Sequence, residues 1–424
     1  MSEGCDPSPR QAGGPAREQA LQGQGSRRPD LPTGLRVVIV GPVHPFRGGI
    51  AHFTTSLANA AARLHSVEVL SFRRLYPKLL YPGGSDRDPS HDTLPLDFPV
   101  SYRLDTLNPF TWMSSARHVA SLQADLVVVP WWTTFLALPL GWLARRWRRG
   151  GTPVVFLVHN VLPHEQRRFD PALARWTLRA GDGYVVLTES EKARLMELLP
   201  QASAIAVCPH PVYRFFASGR IDRAEARKRL GVPEGRPVLL FFGFVRPYKG
   251  VEVLLEAVRL LHSRGRMPYL LVAGEVWQGG RRLRERIESL GIQEWVRIDG
   301  RYIPNEEVGT YFSAADVFVA PYTAATQSGS LRVAMDFALP AVVSEAAAPP
   351  DFPATKGRVV PTGDPAALAQ AIAEIIAVPG GPPAPSNPAE NEDWSDLVAT
   401  LVRVAGRARP GLLPGRARPA KSDP

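Results

Sequence analysis

Two cations, Arg246 and Lys249, stand in one short loop, between the apolar run Val238–Phe242 and the pair Gly250-Val251. The apolar run has the composition of a buried parallel strand. The residues after Gly250 put Leu254, Leu255, Val258 and Leu261 on one helical stripe that can pack on a sheet. A strand, a cationic loop and a helix N-terminus together suit an anion: two positive side chains lie beside unpaired backbone N–H groups. The same two residues can equally be solvated loop charges, because R-x-x-K is a short pattern.

Other polar residues also fall just after strand-like runs. His159-Asn160 follows Pro153–Val158, and a histidine there can hydrogen-bond a substrate hydroxyl or simply finish its strand. Its spacing to His164, with Pro163 between, is not the i, i+4 spacing of a helical zinc site, so no metal is expected. Gln327-Ser328-Gly329-Ser330 precedes a helical stretch, where a serine can cap and the N–H groups can meet an anion. Gly48-Gly49 follows the run Leu35–Val40; it either permits a tight turn or lets a ligand approach the backbone. Glu275 and Arg301-Tyr302 occupy corresponding strand-end positions further on.

The elements that position these residues alternate. Strands are expected at 35–40, 67–72, 124–129, 153–158, 184–187 and 204–207, then at 238–242, 269–273, 296–299, 317–320 and 341–344. Helical stretches lie between them, which predicts two α/β halves with doubly wound parallel sheets facing a central cleft. The expected boundaries are a disordered tail over 1–34, a first Rossmann-like domain over 35–215 and a second over 216–378. A linker and crossover helix follow over 379–406, then a loose tail over 407–424. The Pro/Gly-containing stretch 73–99 reads as a long irregular loop, of the kind that often carries function.

Composition narrows the class. With 424 residues, 45% hydrophobic and 21% charged, the chain is a globular protein of two domains. Its net charge of +10 favours anionic partners without choosing among them. Only Cys5 and Cys208 are present, so neither a disulfide framework nor a cysteine zinc site can be built. A cytoplasmic location is expected, since no secretory signal core or membrane-spanning run is evident. The run 131–149 sets Leu136, Leu140, Leu143 and Trp147 at helical spacing and ends in Arg145, Arg146, Arg148 and Arg149. It reads either as an amphipathic helix docking on anionic membrane or as a crossover helix packed on the sheet. Basic residues carry no RNP-like, zinc or helix-turn-helix signature, so nucleic acid is not the expected partner.

The run FGFVRPYKG, then LLVAGE, YIPNEEVGTYFSAADVFVAPY and QSGSLRVAMDFALPAVVSE resembles the C-terminal half of a family 4 glycosyltransferase of the GT-B fold. GPVHPFRGGIAHF and VHNVLPHE are similar to that family's first-domain loop and strand-end histidine. The resemblance implies retaining transfer of a sugar from a nucleotide-diphosphate donor, with no bound metal and no cofactor beyond the donor itself. The acceptor would be a glycan or a lipid-linked molecule. It further implies that Arg246 and Lys249 hold the diphosphate and that the Tyr302-Ile303 backbone meets the base. Gln327, Ser328, Gly329 and Ser330 would line the phosphates, with Asn160 and Glu275 also contacting substrate. His159 would lie by the transferred sugar, and Gly48-Gly49 would face the diphosphate. One departure stands out: the two glutamates the family often carries eight apart fall at Ala325 and Val333. A non-catalytic relative that keeps the cleft as a binding surface is therefore the alternative.

Overall fold

The computed structural model describes residues 32–77, 84–163, 165–211, 213–277, 279–324, 328–349, 352–377 and 394–411. Two all-parallel sheets carry the fold. The first contains β1 (Arg36–Val40), β2 (Ser66–Arg74), β3 (Val100–Asp105), β4 (Leu126–Trp131), β5 (Val154–Val158), β6 (Gly183–Val186) and β7 (Ile205–Val207). The second contains β8 (Val238–Phe242), β9 (Tyr269–Ala273), β10 (Val296–Asp299), β11 (Val317–Ala320), β12 (Ala341–Ser344) and β13 (Gly357–Val360). Strand order is 3-2-1-4-5-6-7 in one and 10-9-8-11-12-13 in the other. The order therefore reverses beside β1 in the first sheet and beside β8 in the second. At such a reversal the loops beyond the strand ends part to leave a crevice.

The central strands are buried on both faces because helices cover each side, so they read as unbroken Val/Ile/Leu/Phe runs. Two of the four edge strands, β3 and β13, lack that signal. Strand β3 (VSYRLD) buries a single residue and β13 (GRVV) exposes its middle, and no apolar run announces either one. Between β2 and β3, in the stretch expected to be an irregular loop, residues 84–92 dock against the second domain.

The Trp/Arg run is the crossover helix of the two alternatives. In the helix Ala137–Arg149, Leu140, Leu143 and Trp147 are buried in the first-domain core. That face is packed on the sheet, as the crossover reading has it, and contact of 131–149 with a membrane is not shown. Its arginines also have partners within the chain. Arg145 sits 4.0 Å over the Trp176 ring, and Arg148 pairs with Asp182 at 3.0 Å. Among the described residues, no helix is long and apolar enough to cross a membrane.

The last helix, Trp394–Ala408, returns to the first domain and packs on the helix Gly49–Ala62 and on β6. Gly183 makes this approach possible: a Cβ there would lie 2.4 Å from Val404 Cγ1.

Candidate functional site

The crevice is built from the loops after β1 and β8, where both strand orders reverse. The loop after β8 tucks under the end of β11. Gly250 has φ 67°, and a Cβ there would meet the Pro321 carbonyl oxygen at 1.9 Å, so only glycine fits. This closeness sets Lys249 beside Tyr322, with the ammonium 3.8 Å from the ring centre. The Tyr322 hydroxyl in turn lies 3.0 Å from Ser328 Oγ and 3.1 Å from Ser330 Oγ. Ser328 caps the helix Gly329–Asp336, accepting from the Leu331 amide at 3.2 Å. A cation, a phenol and two hydroxyls thus cluster at a helix N-terminus, where backbone donors and dipole both favour negative charge. Burial alone would lower the Lys249 pKa, but Tyr322 and Tyr248 outweigh it and hold the ammonium above its ordinary value.

Arg246 faces elsewhere. Its guanidinium crosses the crevice to Glu165 at 2.7 Å and lies 5.1 Å over the Trp277 ring. The expected cationic couple is therefore split, with Lys249 at the serine turn and Arg246 toward the first domain.

Across the crevice, Gly48 and Gly49 begin the helix Gly49–Ala62. Phe244 of the second domain is 3.8 Å from where a Gly48 Cβ would lie. Tyr213, at the crossing between domains, donates to the Gly49 carbonyl at 3.3 Å, and its ring is 3.8 Å from a Cβ built on Gly329. The glycine pair and the serine–glycine turn are thus two sides of one space.

His159 forms part of the floor. Its ring stands edge-on to Phe53 at 4.5 Å, and Phe53 also contacts His210 and Trp394, each at 4.9 Å. Burial, with His210 nearby, pushes the His159 pKa down to about 3. His210 falls to about 4, chiefly by burial, with Arg332 adding to the effect. Both rings are neutral near pH 7, and His159 Nε2 is buried without a partner. Such an imidazole is a poor base but a ready hydrogen-bond group for a hydroxyl.

Other expected residues are engaged differently. The Asn160 amide nitrogen donates to the Trp132 and Leu162 carbonyls at 3.0 and 3.2 Å, shaping its own loop. Glu275 pairs with Arg47, accepts from the Gly84 amide at 2.9 Å and accepts from Trp277 Nε1 at 3.0 Å. Tyr302 reaches across to Asp88 at 3.3 Å, and Ile303 is buried. Val333 is buried in its helix, while Gln327 and Ala325 lie outside the described residues. Arg47, Tyr213, Tyr322 and Trp394 were not singled out by sequence. Only Arg47 carried a signal, its place directly before the glycine pair.

The segment 84–92 of the first domain completes this side. The Ser90 hydroxyl accepts from the Asn305 amide at 2.9 Å, and Asn305 Nδ2 donates to the Asp92 carbonyl at 2.9 Å. Burial alone would raise the Asp88 pKa, but His52 and the Ser90 hydroxyl and amide overcome it and bring it down to about 2.

The sequence model described as "Glycosyl transferases group 1" matches residues 236–377, and that described as "Glycosyl transferase 4-like domain" matches 48–211. A D-inositol 3-phosphate glycosyltransferase 1 of Catenulispora acidiphila is 30% identical over 308 residues, covering 64% of this chain and 70% of that protein. The chain belongs to the glycosyltransferases of the GT-B fold. Solved structures agree on the architecture of this transferase. Sucrose-phosphate synthase from Thermosynechococcus elongatus superposes with a TM-score of 0.64 at 18% identity, covering 88% of this chain and 94% of that one. An Anabaena protein solved with UDP and glucose gives 0.61 at 14% identity, covering 88% and 95%. At these identities the likeness concerns fold alone. The transferase thus has its crevice between two similar domains, with the Lys249 cluster on one wall and the glycine pair on the other.

Proposed function

We propose that this glycosyltransferase moves a sugar from a nucleotide-diphosphate donor to a glycan or lipid-linked acceptor, with retention of configuration and without a metal ion. The observation that carries this reading is the Lys249–Tyr322–Ser328/Ser330 cluster at a helix N-terminus, opposite Gly48-Gly49. As the bond from the anomeric carbon to the phosphate oxygen breaks, that oxygen keeps the electron pair and negative charge grows on the diphosphate. Lys249 and the N–H groups of the Gly329–Asp336 helix can stabilise that charge without reorganising, which is where such catalysis gains most, and Arg246 joins them once the phosphate displaces Glu165. The acceptor oxygen forms the new bond to the same carbon, on the face that the diphosphate leaves, and its proton passes to the departing phosphate oxygen. His159, neutral and with an unpartnered Nε2, suits a hydrogen bond to a sugar hydroxyl rather than proton abstraction. The Anabaena protein of the same fold was solved with UDP and glucose, so the fold can hold a ligand of this class.

Incubating the purified protein with a panel of nucleotide sugars, with Arg246→Ala as control, tests the reading. Turnover or hydrolysis of one donor, lost in the control, is the expected result. A protein that neither binds a nucleotide nor turns over any donor refutes it, and binding without turnover points to the non-catalytic alternative.

A further inference from the structure

Arg47 is almost wholly enclosed, with 5% of its side chain exposed, yet what encloses it belongs to the other domain. Its guanidinium pairs with Glu275 and lies 4.9 Å from the Tyr302 ring centre and 5.9 Å from that of Phe244. Glu275 is itself fixed by the Gly84 amide and the Trp277 indole. Tyr302 is held from its other end, where its hydroxyl meets Asp88; burial first, then Asp88, holds the phenol well above its ordinary pKa, with Arg47 and the Gly48 amide offsetting only part of this. One planar cation therefore ties the glycine-pair loop of the first domain to the β9 and β10 ends of the second.

We propose that Arg47 is a positioning residue for the nucleoside end of the donor. Through its stacking on Tyr302 and its pair with Glu275, it holds the Tyr302-Ile303 backbone at a fixed distance from Gly48. This rests on the reading of the crevice as a nucleotide-diphosphate site. In that reading Lys249 and Arg246 serve the phosphates, and Arg47 serves the opposite end. The broad delocalised guanidinium matters as well as the charge, because an ammonium can pair with Glu275 but has no planar face to set against the Tyr302 and Phe244 rings at the same time.

The full-length protein separates these roles by calorimetric binding of nucleoside mono- and diphosphates of uridine, guanosine and adenosine. Arg47→Ala is expected to weaken mono- and diphosphate by the same factor, about tenfold, because both share the nucleoside. Arg47→Lys keeps the ion pair and the fold but does not restore the affinity. Arg246→Ala is expected to weaken the diphosphate about tenfold and to leave the monophosphate within about twofold. In turnover, Arg47→Lys raises the donor KM and leaves kcat near that of the unaltered protein. The proposal is overturned if Arg47→Lys binds both nucleotides normally, if Arg47→Ala weakens the diphosphate alone, or if kcat falls with KM unchanged. Loss of binding in Arg246→Ala but in neither Arg47 variant overturns this inference and leaves the proposed function standing. A wild-type protein that binds no nucleotide removes both.

Discussion

Arg47 and Arg246 each reach across the crevice to a glutamate of the opposite domain, but they do so in different surroundings. In the Arg47–Glu275 pair the side chains are 5% and 15% exposed; in the Arg246–Glu165 pair the figures are 32% and 45%. A pair closed off from water is costly to break, because either partner left alone is a buried charge. A pair in contact with water contributes little and can exchange partners. The enclosed pair therefore fixes how the two domains face each other. Under the proposed function, the open pair leaves Arg246 able to exchange Glu165 for a donor phosphate.

The largest effect tests the other half of the phosphate grip. Lys249→Ala should lower donor kcat/KM by about 100-fold or more, the scale of losing one preorganised charge-stabilising group. Initial rates with the donor found active measure it, and a loss under about fivefold removes Lys249 from the leaving-group machinery. EDTA treatment should leave the same rates unchanged, and a loss restored by added divalent cation contradicts a metal-independent transfer.

Next in size is the stability contrast between the pairs. Glu275→Ala strands the Arg47 guanidinium and should lower unfolding stability by about 3 kcal/mol, whereas Glu165→Ala should cost under about 1 kcal/mol. Urea midpoints of the two variants decide it, and equal losses erase the distinction.

Acid should find the enclosed floor before the open rim. The folded pKa values of His159 and His210, about 3 and about 4, lie below the unfolded value of 6.5. The unfolded chain therefore takes up protons that the native one refuses. Stability from this source is complete above about pH 6.5 and declines as pH falls toward the folded values, by roughly 1.4 kcal/mol per unit for each histidine. Urea unfolding at pH 7.5 and 5 should show the decline, and His159→Gln should flatten it. An unchanged slope in that variant refutes the assignment.

The smallest expected effect is on binding. Glu165→Gln removes the competing carboxylate and should tighten the matched nucleoside diphosphate by up to about fivefold. Weaker binding in this variant makes Glu165 a donor ligand instead of a stand-in.

The two domains, their central strands and the loops that flank the crevice were legible because buried parallel strands spell themselves as apolar runs that stop at a glycine or polar residue. The edge strands β3 and β13 were not, since water covers much of each and removes the apolar signal. Within the site, Lys249, Ser328 and Gly48 declared themselves by type and position. Tyr322 and Trp394 did not, because an aromatic residue at the end of a strand or the start of a helix reads as ordinary core. Arg47 and Glu275 lie 228 residues apart, and local spacing has no means of revealing such a pair. Nor did the strand-end position of Asn160 announce that its amide nitrogen serves the Trp132 and Leu162 carbonyls.

The return of the final helix to the first domain has a practical side. A label or fusion partner attached at residue 411 rides on the lobe that carries Gly48-Gly49, although the preceding helix, Pro365–Ile376, packs on the sheet of the other lobe. A dye at that end and a second at the exposed Arg281 of the other lobe would therefore report the distance between lobes, and with it whether the enclosed Arg47–Glu275 pair keeps that distance fixed.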